Sequence, residues 1–508
     1  MRANVVFALL IVLLGGLVGG LVARGRIPHV GTALVEPLPT IESDTSVDAT
    51  AAATTQTTAS PATSEAAGDA PPAVAPPPLD RPLSVVTSAW EVAAPAVMAN
   101  GGVFGSDDSP FARARLDVSL SAASDLTLIE NALARGGSDP AGADVIVLPL
   151  PRFAAAFERL EVLGPQIFFV VGFARGGDVL AGPTALEQIA EEESVVLTAT
   201  PGSSAAMLGL FAFDAAGVSV TLQDHSPEPS SSWRAVERKP SQAGTSTLRG
   251  RVALSTAQAS RLVPHVAVAR RSFLRAHPDA AAALVEGWLE GRRMVDDNRE
   301  ATARAIADTP GGPAMLTVLN DLHLVDAVDL ILNAQLMGLA GRRAVTLPHL
   351  FVEARRWWHL AGVTTSADVA ATPVDGSVVA LVARRQRALD DDEPPAPDDE
   401  SQAAGAGTAD PDVAPPTLGE LLLTQRLPGS DVDENALSFA VARLAEIFPH
   451  AAIEVSLHPG GVVDEDAAEA ILARTASRFD VDRARLVTGT KPGRTSTIAT
   501  LRVRELRD

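Results

Sequence analysis

The sequence predicts an α/β fold class in three parts: an N-terminal transmembrane helix, a large α/β unit and a small α+β unit. Three observations predict this arrangement. Residues 5–22 are apolar or glycine without a break, two segments of biased composition divide the rest of the chain, and short apolar runs alternate with helical patterns between them. At 508 residues, the chain is long enough for two separate hydrophobic cores.

The apolar stretch at residues 5–22 has the length of a membrane-spanning helix. As a helix it would extend about 27 Å, close to the hydrocarbon thickness of a bilayer. Arg2 precedes it and Arg24 and Arg26 follow it, so flanking charge does not determine its orientation. The alternative is a cleaved secretory signal, but such signals have an apolar core of about 7–15 residues and a small-residue cleavage site. We therefore expect an uncleaved anchor, with most of the chain across the membrane.

Composition excludes several classes of function. The chain has no cysteine, so it has no disulfides, thiolate metal ligands or cysteine nucleophile. Its nine histidines are scattered without a pair at HxxxH spacing, and we expect neither a metal nor another cofactor. A formal charge of −21 leaves no basic stripe to neutralise phosphates, so we expect no nucleic-acid partner.

Two segments of biased composition divide the chain into folded units. The first is rich in Ala, Thr, Ser and Pro and cannot bury enough apolar surface to offset the entropy lost on ordering. The second contains acidic runs and ends in two prolines. The predicted division is an anchor or signal at 1–30, a disordered tether at 31–80, a large unit at 81–386, an acidic disordered linker at 387–416 and a small unit at 417–508.

In the large unit, short apolar strands alternate with helices. The predicted strands lie at 82–88, 116–120, 144–150, 166–173, 195–199 and 218–222, and the helices at 91–100, 125–135, 153–160 and 203–216. Strands that are apolar on both faces and separated by helices of about ten residues indicate a parallel sheet with helical crossovers, here in two lobes. After a strand at 264–269, a long helical tract is expected at 279–341 and a further helix at 351–361.

A turn rich in small polar residues separates one strand from the following helix. Gly202, Ser203 and Ser204 occupy this turn, where N–H groups at the helix start and two hydroxyls suit an anionic or polar group. The alternative is an ordinary serine N-cap. Because open α/β sheets bind ligands at the carboxyl ends of their strands, we predict that this turn contacts a ligand.

Two further strand ends carry candidate ligand-binding residues. Ser88 and Trp90 follow the first strand, where the indole either forms a wall against a ligand or packs in a lobe core. Asp178 lies at the end of a glycine-containing turn between two strands, which is either a hinge or only a turn. The predicted ligand-binding residues are therefore Ser88, Trp90, Asp178, Gly202, Ser203 and Ser204.

The order of these parts resembles the periplasmic solute-binding proteins of ABC importers for nitrate, sulfonates and thiamine precursors. The resemblance is carried by the strand ending at Trp90, by GGDVLAG at 176–182, by the strand–TPGSSA–helix unit at 197–216, and by the strand and helix of 265–307. It implies a two-lobed periplasmic-binding-protein-like domain, a small-molecule solute in the cleft and an ABC permease as partner. Such proteins usually place an aromatic or acidic residue in the cleft before the returning strand, whereas 226–250 is polar and loop-like here.

Residues 417–508 resemble an OmpA-like domain, a small module that holds peptidoglycan. The resemblance is carried by helices at 435–448 and 464–479, a strand at 452–457, the VDRARLVTGTKPG strand and turn at 481–493, and a closing strand at 498–506.

The residues that hold peptidoglycan in that family are not retained. Family members use an Asp and a helix Arg; carried over without a gap, the Asp falls on Gly460 and the Arg on Thr475. His458 keeps its position, and Arg474 is next to the lost one. Without both charged partners, the module lacks the charge-assisted hydrogen bonds that a zwitterionic ligand requires. We expect a degenerate OmpA-like fold with at most weak cell-wall contact.

Catalytic motifs are absent from suitable positions, so we expect a non-enzyme. No HExxH, GxSxG at a strand–helix turn, Walker loop or dinucleotide GxGxxG is present in context. We expect a single-pass inner-membrane protein whose periplasmic bulk captures a small polar or anionic solute by lobe closure, with the C-terminal module positioning it in the envelope. One alternative is an envelope scaffold or interaction protein without a ligand, and another is a sensor component. An ordered 226–250 segment over the cleft would favour binding.

Overall fold

The computed structural model describes nine stretches of the chain. They are residues 77–189, 192–224, 232–237, 250–309, 311–392, 416–428, 433–458, 463–490 and 497–507. The expected anchor at 1–30 and most of the tether at 31–80 and the linker at 387–416 lie outside them. Within these stretches, no helix combines the length and apolar character needed to cross a membrane.

The first lobe begins with strands and helices in alternation. Its first elements are β1 (Leu83–Thr87), α1 (Trp90–Ala99), α2 (Pro110–Arg113), β2 (Val118–Ala122), α3 (Leu126–Arg135), β3 (Val145–Pro149), α4 (Leu150–Leu160) and β4 (Pro165–Ala174). Helix α3 begins where Asp125 caps it by accepting the N–H of Thr127. Strand β3 is buried at every position, as its continuous apolar run predicts.

The chain then crosses into the second lobe. Its elements are β5 (Asp178–Gly182), α5 (Leu186–Ile189), β6 (Ser194–Thr198), α6 (Ser204–Ala216), β7 (Ser219–Gln223), β8 (Trp233–Glu237) and β9 (Arg251–Ser255). The two crossings between the lobes are hydrogen-bonded to each other, because the Thr256 hydroxyl accepts the N–H groups of Gly176 and Asp178.

The chain returns to the first lobe and continues mainly as helices. The elements are β10 (Pro264–Arg270), α7 (Arg271–Ala276), α8 (Pro278–Asp297), α9 (Arg299–Ala307), α10 (Met315–Asp321), β11 (Val325–Ala327), α11 (Leu330–Leu336), α12 (Leu347–Leu360) and α13 (Ser377–Asp392). The expected tract at 279–341 is therefore four helices interrupted by a strand. Helix α13 also continues to Asp392, six residues into the segment expected to be a disordered linker from 387.

Both sheets are mixed, which corrects the expectation of a parallel sheet. The first has the order β11-β4-β10-β3-β1-β2 and the second β7-β6-β8-β5-β9. Strands β1, β2 and β3 are parallel, as are β6, β7 and β8. Strands β10 and β5 are antiparallel to their neighbours, because the chain enters each of them from the other lobe rather than through a helical crossover on the same sheet.

Helix α12 is fixed to α4 of the first lobe by a buried arginine. The Arg355 side chain is almost fully buried and bonds the Glu158 carboxylate at 2.8 Å. Arg355, together with the backbone N–H groups of Ser366 and Thr365, lowers the pKa of Glu158 to about 2 against the opposing effect of desolvation. The Trp358 indole donates to the Pro151 carbonyl at 3.0 Å, which adds a second link.

The C-terminal module is a four-stranded sheet with two helices. Its elements are β12 (Thr417–Pro428), α14 (Glu434–Ile447), β13 (Ala451–Leu457), α15 (Glu465–Phe479), β14 (Leu486–Thr488) and β15 (Thr497–Arg507). The sheet order is β12-β15-β13-β14, with β13 and β14 parallel and the other pairs antiparallel. Both expected helices and the three expected strands are present, and β12 is the strand before the first helix of the expected β-α-β-α-β module, to which the sequence analysis assigned no residues.

The module packs against the large unit through an aromatic contact at Phe211. Phe211, on α6 of the second lobe, lies 6.0 Å from the Trp357 ring and 6.1 Å from the Phe448 ring. The Arg443 guanidinium lies 5.5 Å from the Phe211 ring centre and also bonds Glu353 at 2.8 Å. The Phe211 side chain thereby contacts both α12 and the end of α14, so it links the second lobe, α12 and the C-terminal module.

A buried carboxylate reinforces this interface. Glu446 on α14 accepts the backbone N–H groups of Ala344 and Val345 at 2.9 and 2.8 Å, and the Arg343 guanidinium at 3.2 Å. Burial raises the pKa of Glu446, opposed by Arg343 and these two N–H groups. The carboxylate therefore satisfies polar groups that the docked module would otherwise leave buried and unpaired.

We predict that Glu446→Ala destabilises the docked module by about 2–4 kcal/mol, because it leaves Arg343 and two backbone donors without their buried acceptor. Urea unfolding of the full-length chain measures the change. Glu434→Ala on the same helix is the matched control, since its ion pair with Arg474 is half exposed and should contribute less than about 1 kcal/mol. Equal effects of the two variants would contradict this assignment.

Candidate functional site

A cavity of about 150 Å³ lies between the two lobes, at the carboxyl ends of the parallel strands. Ser88 follows β1, Ser124 follows β2, and Arg152 is in the first turn of α4, directly after β3. The second lobe contributes Ser204, at the start of α6, and Glu237, at the end of β8. The site therefore requires both lobes.

Asp178 is the buried acid of this cavity. It lies at the second-lobe end of the first crossing, is 5% exposed, and its pKa is raised to about 8. Desolvation is the main cause and the charge of Glu237 adds to it, while Arg152 and a hydrogen bond with Thr256 act in the opposite direction. At neutral pH, Asp178 is therefore largely a neutral carboxylic acid.

An ion pair joins the lobes across the cleft. The Arg152 guanidinium, on α4, reaches both carboxylate oxygens of Glu237, on β8, at 3.2 and 3.1 Å. Both side chains are partly exposed, so the pair contributes no more than about 1 kcal/mol to the closed arrangement. Its chief consequence is that Arg152 and Glu237 neutralise each other across the cleft.

Helix N-termini supply the remaining polar character. Helices α1 and α4 both begin at the cavity, and the side chains of their N-cap residues, Ala89 and Pro149, make no capping hydrogen bond. The first N–H groups of a helix lack partners within the helix and carry partial positive charge. Pro149 and Pro151 have no N–H to donate at the start of α4, and Glu91 lies in the first turn of α1, so neither helix end by itself requires an anion.

The structure places the six sequence-predicted residues in different roles. Ser88, Asp178 and Ser204 line the cavity together. Ser203 caps α6, because its side chain accepts the Ala206 N–H at 3.1 Å. Trp90 is the first residue of α1 and packs against the hydrophobic core.

Gly202 sets the turn that leads into α6. Its φ is +78°, a conformation that favours glycine, and a Cβ there would lie 3.1 Å from the Ala155 Cβ on α4. A larger residue would therefore strain the turn and push the lobes apart, so substituting Gly202 tests the fold rather than a ligand contact.

Several lining residues were not predicted from the sequence. They are Glu91, Ser124, Arg152, Glu237 and His265. The sequence offers a signal for Arg152, since it stands three residues after the end of a buried strand. The signal for Glu237 is weaker. The strand that carries it shows only a short alternation of buried residues, Trp233 and Ala235, within a polar segment. The polar segment at 226–250 thus contains a strand, which corrects its loop-like interpretation for residues 233–237.

A second cavity of about 400 Å³ lies behind the first, between α1, the end of α8 and β11. Arginines and acids line it in equal number: Glu91, Arg175, Arg292, Asp296, Arg299 and Asp326. Within the described residues, no group of three or more His, Asp or Glu side chains is arranged to hold a metal ion.

No protein-family model and no curated protein sequence matches the chain. Solved structures align with part of the chain. The ligand-binding component of an ABC-type import system from Staphylococcus aureus, solved with zinc, is 12% identical over 60% of this chain and 100% of its own, with a TM-score of 0.42. The aliphatic sulphonate-binding protein of Escherichia coli is 13% identical over 56% of this chain and 89% of its own, with a TM-score of 0.40. The nitrate-binding protein of Synechocystis is 13% identical over 62% of this chain and 89% of its own, with a TM-score of 0.39.

We predict a pH dependence of stability that Asp178 causes. Its folded-state pKa of about 8 lies above the unfolded value of about 3.9, so the folded state binds more protons between these limits. This protonation contributes to the free energy of unfolding. The contribution is fully present below about pH 4 and is lost as the pH rises through about 8, at up to about 1.4 kcal/mol per pH unit. Denaturant unfolding at pH 5.5, 6.5 and 7.5 should show a steeper decline for the native chain than for Asp178→Asn. Parallel slopes would contradict the assignment.

Proposed function

We propose that the chain binds a small polar solute in the cleft between its lobes, without chemical conversion. The observation that carries this proposal is the cavity itself, which both lobes build at the carboxyl ends of parallel strands around a buried acid. Crevices at strand ends are the usual ligand sites of open α/β sheets. The absence of a catalytic motif from the sequence supports binding rather than catalysis.

The space within the cavity suits a small solute, although the cavity opens to solvent and sets no upper limit on solute length. A cavity of about 150 Å³ accommodates a molecule about as large as benzene, with roughly six non-hydrogen atoms. Three carboxylic residues and one arginine line it, so the lining does not favour a simple anion. Of the polar and anionic solutes that the sequence suggested, we therefore propose a polar one.

Most of the segment at 226–250 lies outside the described residues, but residues 233–237 within it support binding over a ligand-free scaffold. Its described part forms β8, in the middle of the second sheet, and ends with Glu237 in the cavity. The resemblance to solute-binding proteins would then extend to function, with an ABC permease as the partner that receives the solute.

We also propose that the C-terminal module is OmpA-like, and that it positions the chain in the cell envelope rather than recognising peptidoglycan. Its order of strands and helices and its parallel β13–β14 pair support the resemblance. Thr475, at the position of the family's arginine, is buried and bonds the Ile471 carbonyl, while Arg474 pairs with Glu434. Gly460 lies outside the described residues. An anchor at residues 5–22 would hold the chain at the inner membrane with its bulk in the periplasm.

A second candidate is an envelope scaffold without a ligand. The packing of α6 against α4, α12 and the C-terminal module favours it, because this packing joins the lobes independently of any solute. Under this alternative, the cavity would be a remnant of a closed cleft.

A panel of small solutes separates the two candidates. We expect thermal unfolding of the full-length chain to shift for one chemical class among anions, amines, amino acids and neutral polyols of up to seven non-hydrogen atoms. A solute at a hundred times its dissociation constant adds about 2.7 kcal/mol to stability.

Ser88→Phe should abolish this shift, because the larger side chain occupies the cavity. Ser121→Phe is the control, since Ser121 lies on the exposed side of β2, away from the cavity. A panel without any shift, or a shift that survives Ser88→Phe, would favour the scaffold.

A further inference from the structure

The charged groups of the interlobe cavity are largely balanced by the protein itself. Arg152 and Glu237 pair with each other across the cleft at 3.1 Å. Asp178 is 5% exposed and bonded to Thr256, and burial raises its pKa, so it carries little charge at neutral pH. A charged ligand would therefore lose its hydration here without gaining an unpaired countercharge, which is costly in a buried site.

Glu91 is the remaining acid of the cavity lining, and its charge is also offset. It lies in the first turn of α1, where the partial positive charge of the helix N-terminus favours a carboxylate. It also lines the second cavity, together with Arg175, Arg292 and Arg299. Glu91 therefore does not create a requirement for a cationic ligand.

Hydroxyl groups from both lobes line the same cavity. Ser88 follows β1 and Ser124 follows β2, whereas Ser204, which is 4% exposed, begins α6 in the second lobe. Among the described residues, these three hydroxyls are not bonded to one another or to a neighbouring side chain. A serine hydroxyl both donates and accepts hydrogen bonds, so it pairs best with a ligand group that does the same. A ligand hydroxyl meets this requirement.

Apolar side chains form much of the remaining lining. They are Ala89, Val92, Pro149, Ala174, Leu324 and Val325. Such surface covers the C–H groups of a short carbon chain, while a few polar groups fix its orientation. The lining therefore suits an uncharged molecule that has both a carbon backbone and hydroxyl groups.

We propose that the solute is a short polyol, an uncharged carbon chain that carries several hydroxyl groups. This proposal rests on the binding function proposed above and specifies its solute class. Glycerol has six non-hydrogen atoms, and a space of about 150 Å³ accommodates a molecule of that size. Because the cavity opens to solvent, a four-carbon polyol such as erythritol can extend out of it.

Analogues of glycerol that differ in one group test the solute class. Calorimetric titration of the full-length chain compares glycerol and erythritol with glycerate, in which a carboxylate replaces one CH2OH group, and with 3-aminopropane-1,2-diol, in which an ammonium replaces one hydroxyl. We expect the better polyol to bind at least about tenfold more tightly than either charged analogue, because each analogue buries a charge without a free partner. Lactamide, which is as large as glycerol, should also bind more weakly, because its carbonyl oxygen only accepts hydrogen bonds.

A serine variant assigns the hydroxyl contact in the second lobe. Ser204→Ala should weaken polyol binding about two- to tenfold, the value of one neutral hydrogen bond, and should still unfold cooperatively because it removes a single oxygen atom. Ser121→Ala is the control and should leave affinity unchanged, since Ser121 lies on the exposed side of β2, away from the cavity.

Removing ligand hydroxyls in the same variant gives a readout that a purely structural role of Ser204 would not change. Propane-1,2-diol and propane-1,3-diol each lack one hydroxyl of glycerol. For at least one of them, the loss of affinity relative to glycerol should be smaller in Ser204→Ala than in the native chain, because the two deletions remove the same hydrogen bond. Equal losses in both backgrounds would contradict a direct contact.

Failure of this proposal is distinguishable from failure of the binding function. If glycerate, 3-aminopropane-1,2-diol or lactamide binds as tightly as the polyols, or if Ser204→Ala leaves polyol binding unchanged, the polyol proposal is overturned. A compound of another class whose binding Ser88→Phe abolishes would still establish the cleft as a binding site. If neither these compounds nor the panel of small solutes binds, both proposals fall.

Discussion

Helix α6 is the element on which the arrangement of the molecule depends. Twelve of its thirteen residues are buried, and the thirteenth, Asp214, pairs with Arg356. One face lies on the second sheet, where Gly209 permits close approach: a Cβ there would lie 2.8 Å from Leu197. Other faces contact α4, α12 and β12. A helix that is apolar all around must be covered on all sides, and here three parts of the chain provide the cover.

This constraint also shapes the cavity. The residue that begins α6, Ser204, lines it, and the preceding turn at Gly202 lies against Ala155 of α4. The lobes therefore meet by direct packing beside the cavity, which keeps its volume small. Opening the cleft would expose Phe211 and its aromatic partners to water, at a cost of about 25 cal/mol for each Å² of apolar surface. The C-terminal module is thus part of what holds the lobes together, rather than a separate body at the end of a linker.

Local patterns in the sequence predicted local structure well. The Ser203 cap, the apolar run of α6 and the continuous apolar strand β3 follow from short-range rules of capping and burial. What could not be predicted depends on contacts between distant residues. Arg152 and Glu237 are 85 positions apart, and only the approach of the lobes pairs them. Strand β8 is short and flanked by polar residues, and its place between β6 and β5 comes from Trp233 packing 5.4 Å from the Phe213 ring.

The distance between the lobes tests most directly whether α6 and the docked module hold the cleft closed. Because the chain has no cysteine, spin labels can be placed at Leu128→Cys on α3 and Val196→Cys on β6, two exposed positions in different lobes. Pulsed electron–electron double resonance on the solute-free chain should give one narrow distribution of distances between the two labels. Adding Phe211→Leu should broaden it toward longer distances, because the ring contacts with Trp357 and Phe448 are lost. A broad distribution in the unsubstituted background, or one that Phe211→Leu leaves unchanged, would contradict the account.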